Sequence, residues 1–225
     1  MIARRFRYYD LLVHIFVVVL LVSNLVGQKI TAIGPFRISG AQLLFPITYI
    51  FGDVFTEVYG YGSSRRAIWI GFFASALLVA MGKFTVWLPA APGWHDQEAY
   101  QKVFNFVPRL MTASLIAYWS GEFTNFYVLA KMKIWTNGRY LWTRTVGSTV
   151  AGQAVDTTVV MILAFGGSLT ASLIANLILS GYLAKVLYEV LATPLTYKIV
   201  NFLKRREGVD TFDRGTNFNP FHASE

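Results

Sequence analysis

The chain has no cysteine among its 225 residues. Disulfides and thiolate metal sites are thereby excluded, and the redox compartment is left open. Charge is scarce too: Asp, Glu, Lys and Arg make up 14% of the sequence, where soluble domains carry about 25%. Acidic residues are the rarer sign, 12 against 20 basic ones. No repeat of solenoid period and no long low-complexity segment is present. His-Glu-x-x-His and Gly-x-Ser-x-Gly are missing, and Phe51-Gly52-Asp53 lacks the earlier glycine and the partner motif of aspartyl intramembrane proteases. An enzyme is therefore not expected, nor a cofactor or a metal.

What the chain has in excess is apolar surface, 55% of its residues. Scanning for runs long enough to cross about 30 Å of hydrocarbon gives six, at roughly residues 10–28, 40–60, 67–89, 109–131, 145–166 and 172–200. The runs are continuous rather than alternating, so helices and not a β-barrel satisfy the backbone in lipid. The expected fold is an all-α membrane protein, with a domain of six transmembrane helices over residues 1–203 and a short tail over 204–225. The first run follows arginines as a signal peptide does, but "SNLVGQK" offers no small-residue cleavage site, so it is read as a retained helix.

Basic residues set the orientation. With the amino terminus inside, the inner segments collect 14 of the 20: Arg4, Arg5, Arg7, Arg65, Arg66, Lys131, Lys133, Arg139, Arg144, Lys198, Lys204, Arg205, Arg206 and Arg214. The outer loops hold Lys29, Arg37, Lys102 and Arg109. Both termini are expected to be cytoplasmic. This bias accounts for the net charge of +8, and no nucleic acid is expected as a partner.

Five of the 12 acids fall inside the runs: Asp53, Glu57, Glu122, Asp156 and Glu189. A charged side chain at the bilayer centre costs about 2.5–3.5 kcal/mol on the insertion scale. Each acid must therefore face water, a partner or a proton. Helical spacing groups them into pairs: Asn24 with Gln28, Asp53 with Glu57, Glu122 with Asn125, Gln153 with Asp156, and Lys185 with Glu189. Five of six runs thus carry a polar stripe, and Glu122, Gln153, Asp156 and Lys185 fall at mid-depth, as a solute site between helices requires. Blander readings stand beside this one. Glu57 can pair with Arg65 or Arg66, Lys185 can pair with Glu189 along one helix, and Asn125 and Gln153 can serve as interhelical glue. Most tryptophans sit near run ends, where an interfacial belt explains them, while Trp69 and Trp119 lie deeper and are candidates for stacking.

The segments "GDVFTEVYGYGSSRRAIWIGF", "LPAAPGWHDQEAY", "GEFTNFYVLAKMK", "RTVGSTVAGQAVDT", "YEVLATPLTY" and "FNPF" together resemble the queuosine precursor transporter family of bacterial inner-membrane proteins, also called vitamin uptake transporters. The resemblance covers nearly the whole chain. It implies uptake of 7-cyano-7-deazaguanine, and of its aminomethyl relative, for the tRNA nucleoside queuosine. It also implies a six-helix fold similar to the substrate-binding components of energy-coupling-factor transporters, working without their ATPase; a homodimer is left open. A deazaguanine edge offers adjacent N–H donors to a carboxylate and a carbonyl to an amide or lysine. The residues expected to bind such a solute are Asn24, Asp53, Glu57, Trp69, Gln97, Trp119, Glu122, Asn125, Gln153, Asp156, Lys185 and Glu189. Gln97 belongs to a loop from about Ala90 to Pro108 that can act as a lid, or be a plain connector. The surplus of acids over lysines in the runs suggests proton coupling, with Glu122 and Asp156 as the carriers. The alternatives are a binding component that needs an ATPase partner, or a carrier of another purine-like or vitamin solute.

Overall fold

The computed structural model describes residues 6–27, 29–33, 36–104 and 108–222, so Arg4, Arg5 and Gln28 lie outside the described residues. Helix α1 (Tyr9–Val26) leads into an antiparallel hairpin, β1 (Ile30–Ile33) against β2 (Phe36–Ser39), with Ile30 opposite Ser39. After a 3-10 turn (Gly40–Leu43) comes α2 (Phe45–Val54), which runs on as a π-helical turn (Phe55–Tyr59). Then follow α3 (Tyr61–Trp87), α4 (Gln97–Phe104), α5 (Pro108–Trp135), α6 (Leu141–Phe165) and α7 (Ala171–Glu207). The hairpin and α4 are additions to the expected all-α plan. Sequence reading passed over both because each is short, four residues per strand and eight in α4.

Among the described residues, four helices are long and apolar enough to cross a membrane: α1, α3, α6 and α7. The expected span 40–60 is helical but short, since α2 and its π turn together rise roughly 20 Å. The expected span 109–131 lies in α5, 28 residues long, where Glu122, Asn125 and several hydroxyls dilute the apolar character. On α7, Leu179, Leu183, Leu187 and Leu191 recur every fourth residue and are 55% to 70% exposed. An apolar stripe of this kind suits a wall of lipid.

The amino-terminal end of the described chain meets the end of α7. Glu207, at the end of α7, accepts hydrogen bonds from the backbone N–H of Arg7 (2.9 Å) and Tyr8 (2.7 Å) and from the Tyr59 hydroxyl (3.0 Å). At this same end one residue, Gly60, turns the chain from the π turn into α3. Its φ of +84° suits glycine alone, and a Cβ there would sit 2.6 Å from the Thr211 methyl. The turn is thus tighter than the expected loop through Arg66. Around it the core is aromatic: Tyr9, Phe16, Phe51 and Phe55 meet with ring centroids 5.6–6.1 Å apart.

The chain beyond α7 straps this end. Asp213 accepts the Tyr61 backbone N–H through both oxygens (3.1 and 3.0 Å). Arg65 donates to the carbonyls of Asn217 (3.1 Å) and Asn219 (3.0 Å), and the Trp69 indole N–H donates to Pro220 (2.9 Å).

The closest helix crossing, between α5 and α6, positions the polar residues. A Cβ on Gly121 would lie 2.6 Å from the Asp156 Cβ, and one on Gly152 would lie 2.6 Å from the Asn125 Cβ. Only glycine lets the backbones approach so far, and the approach sets Glu122 and Asn125 against Gln153 and Asp156. Replacing Gly152 with valine should cost at least about 1–3 kcal/mol by overpacking. Gly62, with open space around it, should accept alanine without loss; thermal unfolding of both variants in detergent compares them.

Candidate solute site

A cavity of about 260 Å³ opens between α1, α2, α5, α6 and α7. Its polar lining comes from Ser23 and Asn24 on α1, Thr48 and Tyr49 on α2, Ser114, Tyr118 and Glu122 on α5, Gln153 and Asp156 on α6, and Lys185 on α7. Its apolar lining includes Phe16, Leu20, Ala117 and Val160. Five of the twelve expected site residues therefore share one chamber: Asn24, Glu122, Gln153, Asp156 and Lys185. Asn24 is tethered, its amide donating to Ser75 Oγ at 3.3 Å. Lys185 donates to Asp156 Oδ2 (2.5 Å) and to Thr157 Oγ1 (3.4 Å), so its ion pair bridges two helices instead of running along α7 to Glu189. Gln153 Oε1 and the Tyr118 hydroxyl are buried in the chamber wall without a hydrogen-bond partner among the described residues. Buried polar atoms are rarely left so, and the Tyr118 hydroxyl points to the α3 backbone at Gly71.

One helical turn from Tyr49 and Lys185, toward the end bearing the termini, stand Asp53 and Glu189. They meet carboxyl to carboxyl, with Thr149 of α6 beside Glu189. Both are buried, at 2% and 1% exposure. Asp53 Oδ2 and both Glu189 oxygens have no donor in satisfactory geometry among the described residues. The pair adjoins the chamber without lining it.

A further turn along, Glu57 is wholly buried in the π turn. Arg144 grips it with two parallel bonds of 2.7 Å. Lys204 reaches one oxygen at 2.5 Å and Lys133 comes within 3.5 Å. Lys133 also donates to the Glu57 carbonyl (2.5 Å), to Thr211 O (2.7 Å) and to Asp210 (2.6 Å). Glu57 is thus a latch joining α5, α6, α7 and the strap, with neither Arg65 nor Arg66 as its partner, and it is absent from the chamber. The π turn explains the separation from Asp53: its wider coil breaks the 3.6-residue count that put both acids on one stripe. Asp210 is half in solvent. Its partial burial favours protonation, but the ammoniums of Lys133 and Lys204 at 2.6 and 2.9 Å prevail and hold its carboxyl below the usual range.

The other expected residues lie elsewhere. Trp69 gives its N–H to the strap and packs on Phe73 and Phe221. Trp119 packs on Phe221 and Phe123. Both tryptophans are on the far side of α3 and α5 from the chamber, beside an external, mostly apolar recess of about 650 Å³ lined by Arg66, Trp69, Phe73 and Phe221. Asn125 is buried in the α5–α6 crossing, its Oδ1 unpartnered among the described residues. Gln97, on α4, donates to the Val86 carbonyl at 3.4 Å, and Tyr100 donates to Thr85 at 2.8 Å. They pin α4 to the last turn of α3, away from the chamber. Tyr49, Tyr118 and Ser114 were missed, although Tyr49 and Tyr118 stand one turn before Asp53 and Glu122 on the same faces. Arg144 and Lys133 were missed because they were counted only as orienting charge.

The chamber residues other than those of α1, and Glu57 with Arg144 and Lys133, all fall within residues 39–199, which match the family model described as "Putative vitamin uptake transporter". The chain belongs to this family. It is also 28% identical over 157 residues to a "Probable queuosine precursor transporter" of Bacillus subtilis, covering 69% of each chain. Over 188 residues it is 25% identical to the "Queuosine precursor transporter" of Escherichia coli, covering 82% of each. No solved structure matches the chain. The family match ends before Lys204, Asp210 and the strap, so the latch combines residues inside and outside the shared region.

Two outcomes follow for the latch. Glu57→Ala leaves Arg144 buried without a counter-charge, which should cost about 3–5 kcal/mol; the measure is thermal unfolding in detergent. For Asp210, whose folded pKa is depressed, the contribution to stability is complete above the unfolded carboxylate value of about 4 and is lost as pH falls through the folded value. Acid titration of unfolding should therefore lose a step in Asp210→Asn.

Proposed function

We propose that this member of the vitamin uptake transporter family imports small planar heterocycles of the 7-deazaguanine type, 7-cyano-7-deazaguanine first among them, through the chamber between α1, α2, α5, α6 and α7. The observation that carries this reading is the chemistry of the lining. Glu122 takes part in no ion pair among the described residues and can accept the paired N–H donors of a deazaguanine edge. Gln153 and the Tyr118 hydroxyl supply complementary donors and acceptors, and Lys185 and Asp156 form a polar wall. Tyr49, Tyr118 and Phe16 are the aromatic rings at hand for stacking, in place of the tryptophans. At about 260 Å³ the chamber lies below the range of about 300–1,000 Å³ typical of drug-sized ligands, which favours a single base over a nucleotide.

In this reading six helices cross the bacterial inner membrane with both termini cytoplasmic, as the basic residues direct, in the manner of the binding components of energy-coupling-factor transporters. The Glu57 latch and the strap then close the cytoplasmic end, and alternating access requires that end to loosen while the other shuts. The chain works without an ATPase and is driven by protons.

Purified protein in liposomes, with no other component, should take up labelled 7-cyano-7-deazaguanine. Glu122→Gln removes a charge-assisted acceptor worth about 1.5–3 kcal/mol and should weaken apparent affinity roughly 10- to 100-fold. Uptake that appears only when an ATPase partner is added, or that is indifferent to Glu122→Gln, would refute the reading.

A further inference from the structure

The five acids expected inside the membrane resolve into three kinds. Glu57 has Arg144, Lys204 and Lys133, and Asp156 has Lys185. Glu122 opens onto the chamber. Asp53 and Glu189 have each other, with the Thr149 hydroxyl beside Glu189 and no cation paired to either among the described residues. The titratable groups near them are Tyr49 and Glu57 from α2 and its π turn and Glu122 from α5, with Asp156 of α6 beyond Tyr49; the cations of the elements packed on them are Lys185 on α7 and Arg144 on α6. Of the cations, Lys185 turns to Asp156 and Arg144 turns to Glu57. No group of His, Asp and Glu able to hold a metal ion is found among the described residues.

Two buried carboxyl groups in contact, with the Thr149 hydroxyl beside Glu189 and no cation turned to either, need a proton between them: one oxygen must carry hydrogen to donate to the other. We infer that Asp53 and Glu189 form the proton-binding site of this carrier, one helical turn from the solute chamber, and that the pair gains and loses its proton as the protein alternates. This rests on the carrier reading above and refines it, moving the coupling from Glu122, which opens onto the solute, and Asp156, whose charge Lys185 already balances, to a pair that the solute need not touch.

The position suits the task. Tyr49 and Asp53 stand four residues apart on α2, and Lys185 and Glu189 four apart on α7, so α2 and α7 each carry a chamber residue and a pair residue on one face. On the other side of the pair, buried hydroxyls of Thr145, Ser148, Thr149, Thr193 and Thr196 continue toward the Glu57 latch. When solute enters the chamber, a shift of α7 against α2 changes the distance between the two carboxyls, and with it the hold on the proton. Solute and proton affinities are then linked, each raising the other by the same factor.

The test uses full-length protein in liposomes and three readouts. Infrared titration without solute should show a protonated-carboxyl band that persists to alkaline pH and disappears in Asp53→Asn and in Glu189→Gln. Under an imposed pH gradient, wild-type protein should accumulate labelled 7-cyano-7-deazaguanine above equilibration, and both variants should only equilibrate it. Exchange of labelled for unlabelled base, which needs no net proton movement, should survive in the variants. The inference is overturned if the band is absent from wild-type protein or unchanged in both variants. It is equally overturned if wild-type accumulation ignores the gradient, or if both variants lose exchange along with accumulation. Wild-type protein that neither exchanges nor accumulates the base refutes the carrier reading for that solute, while the infrared band still decides whether the pair holds a proton.

Discussion

The cost of placing a carboxylate in hydrocarbon organises this protein. Each acid of the apolar runs must find a cation, a proton or water, and the fold supplies one answer for each. Glu57 meets three cations, Asp156 meets Lys185, Asp53 and Glu189 meet each other, and Glu122 meets open space. These answers lie in order along the bundle, with the chamber first, the carboxyl pair one turn on, and the latch at the end where the first described residues meet the end of α7. The chamber, the carboxyl pair and the latched end thus succeed one another along α7 between Lys185 and Lys204, roughly 28 Å at 1.5 Å per residue.

Glycine makes this order available. Gly121 and Gly152 bring α5 and α6 near enough for their polar residues to share one cavity, while Gly60 sends the chain back sharply enough for the π turn to hold Glu57 against Arg144. The strap adds a second layer at the same end, using Arg65, Trp69 and Tyr61 as anchors. Because the strap also supplies Asp210 to the lysines that hold Glu57, opening of the latch and release of the strap are expected to be coupled.

Much of this was legible in the sequence. Apolar runs located the helices, and i, i+3 and i, i+4 spacings found the polar faces that build the chamber from Asn24, Glu122, Gln153, Asp156 and Lys185. What stayed hidden has physical reasons. Spacing along a helix says which residues share a face but not which helix that face meets, so Lys185 was offered Glu189 and took Asp156 across the α6–α7 boundary. A π turn leaves no mark in a count of 3.6, so Asp53 and Glu57 were grouped although they serve different ends. Trp69 and Trp119 looked like stacking platforms because their helix neighbours Phe73 and Phe123 do not reveal what covers the rest of each ring. Their partner, Phe221 with Pro220, lies more than 100 residues away in the sequence. Gln97 sits on a helix too short to announce itself by periodicity.

The central claim is that polar groups from separate helices open onto one watery chamber that the solute fills. The absence of cysteine makes this directly measurable, since a single Ser114→Cys substitution in the chamber wall and a single Leu191→Cys substitution on the exposed stripe of α7 each report their own surroundings. Aqueous maleimide should label the first and not the second in membranes, and 7-cyano-7-deazaguanine should protect the first. Equal labelling at both positions, or labelling at Ser114→Cys that the base does not slow, would contradict the account.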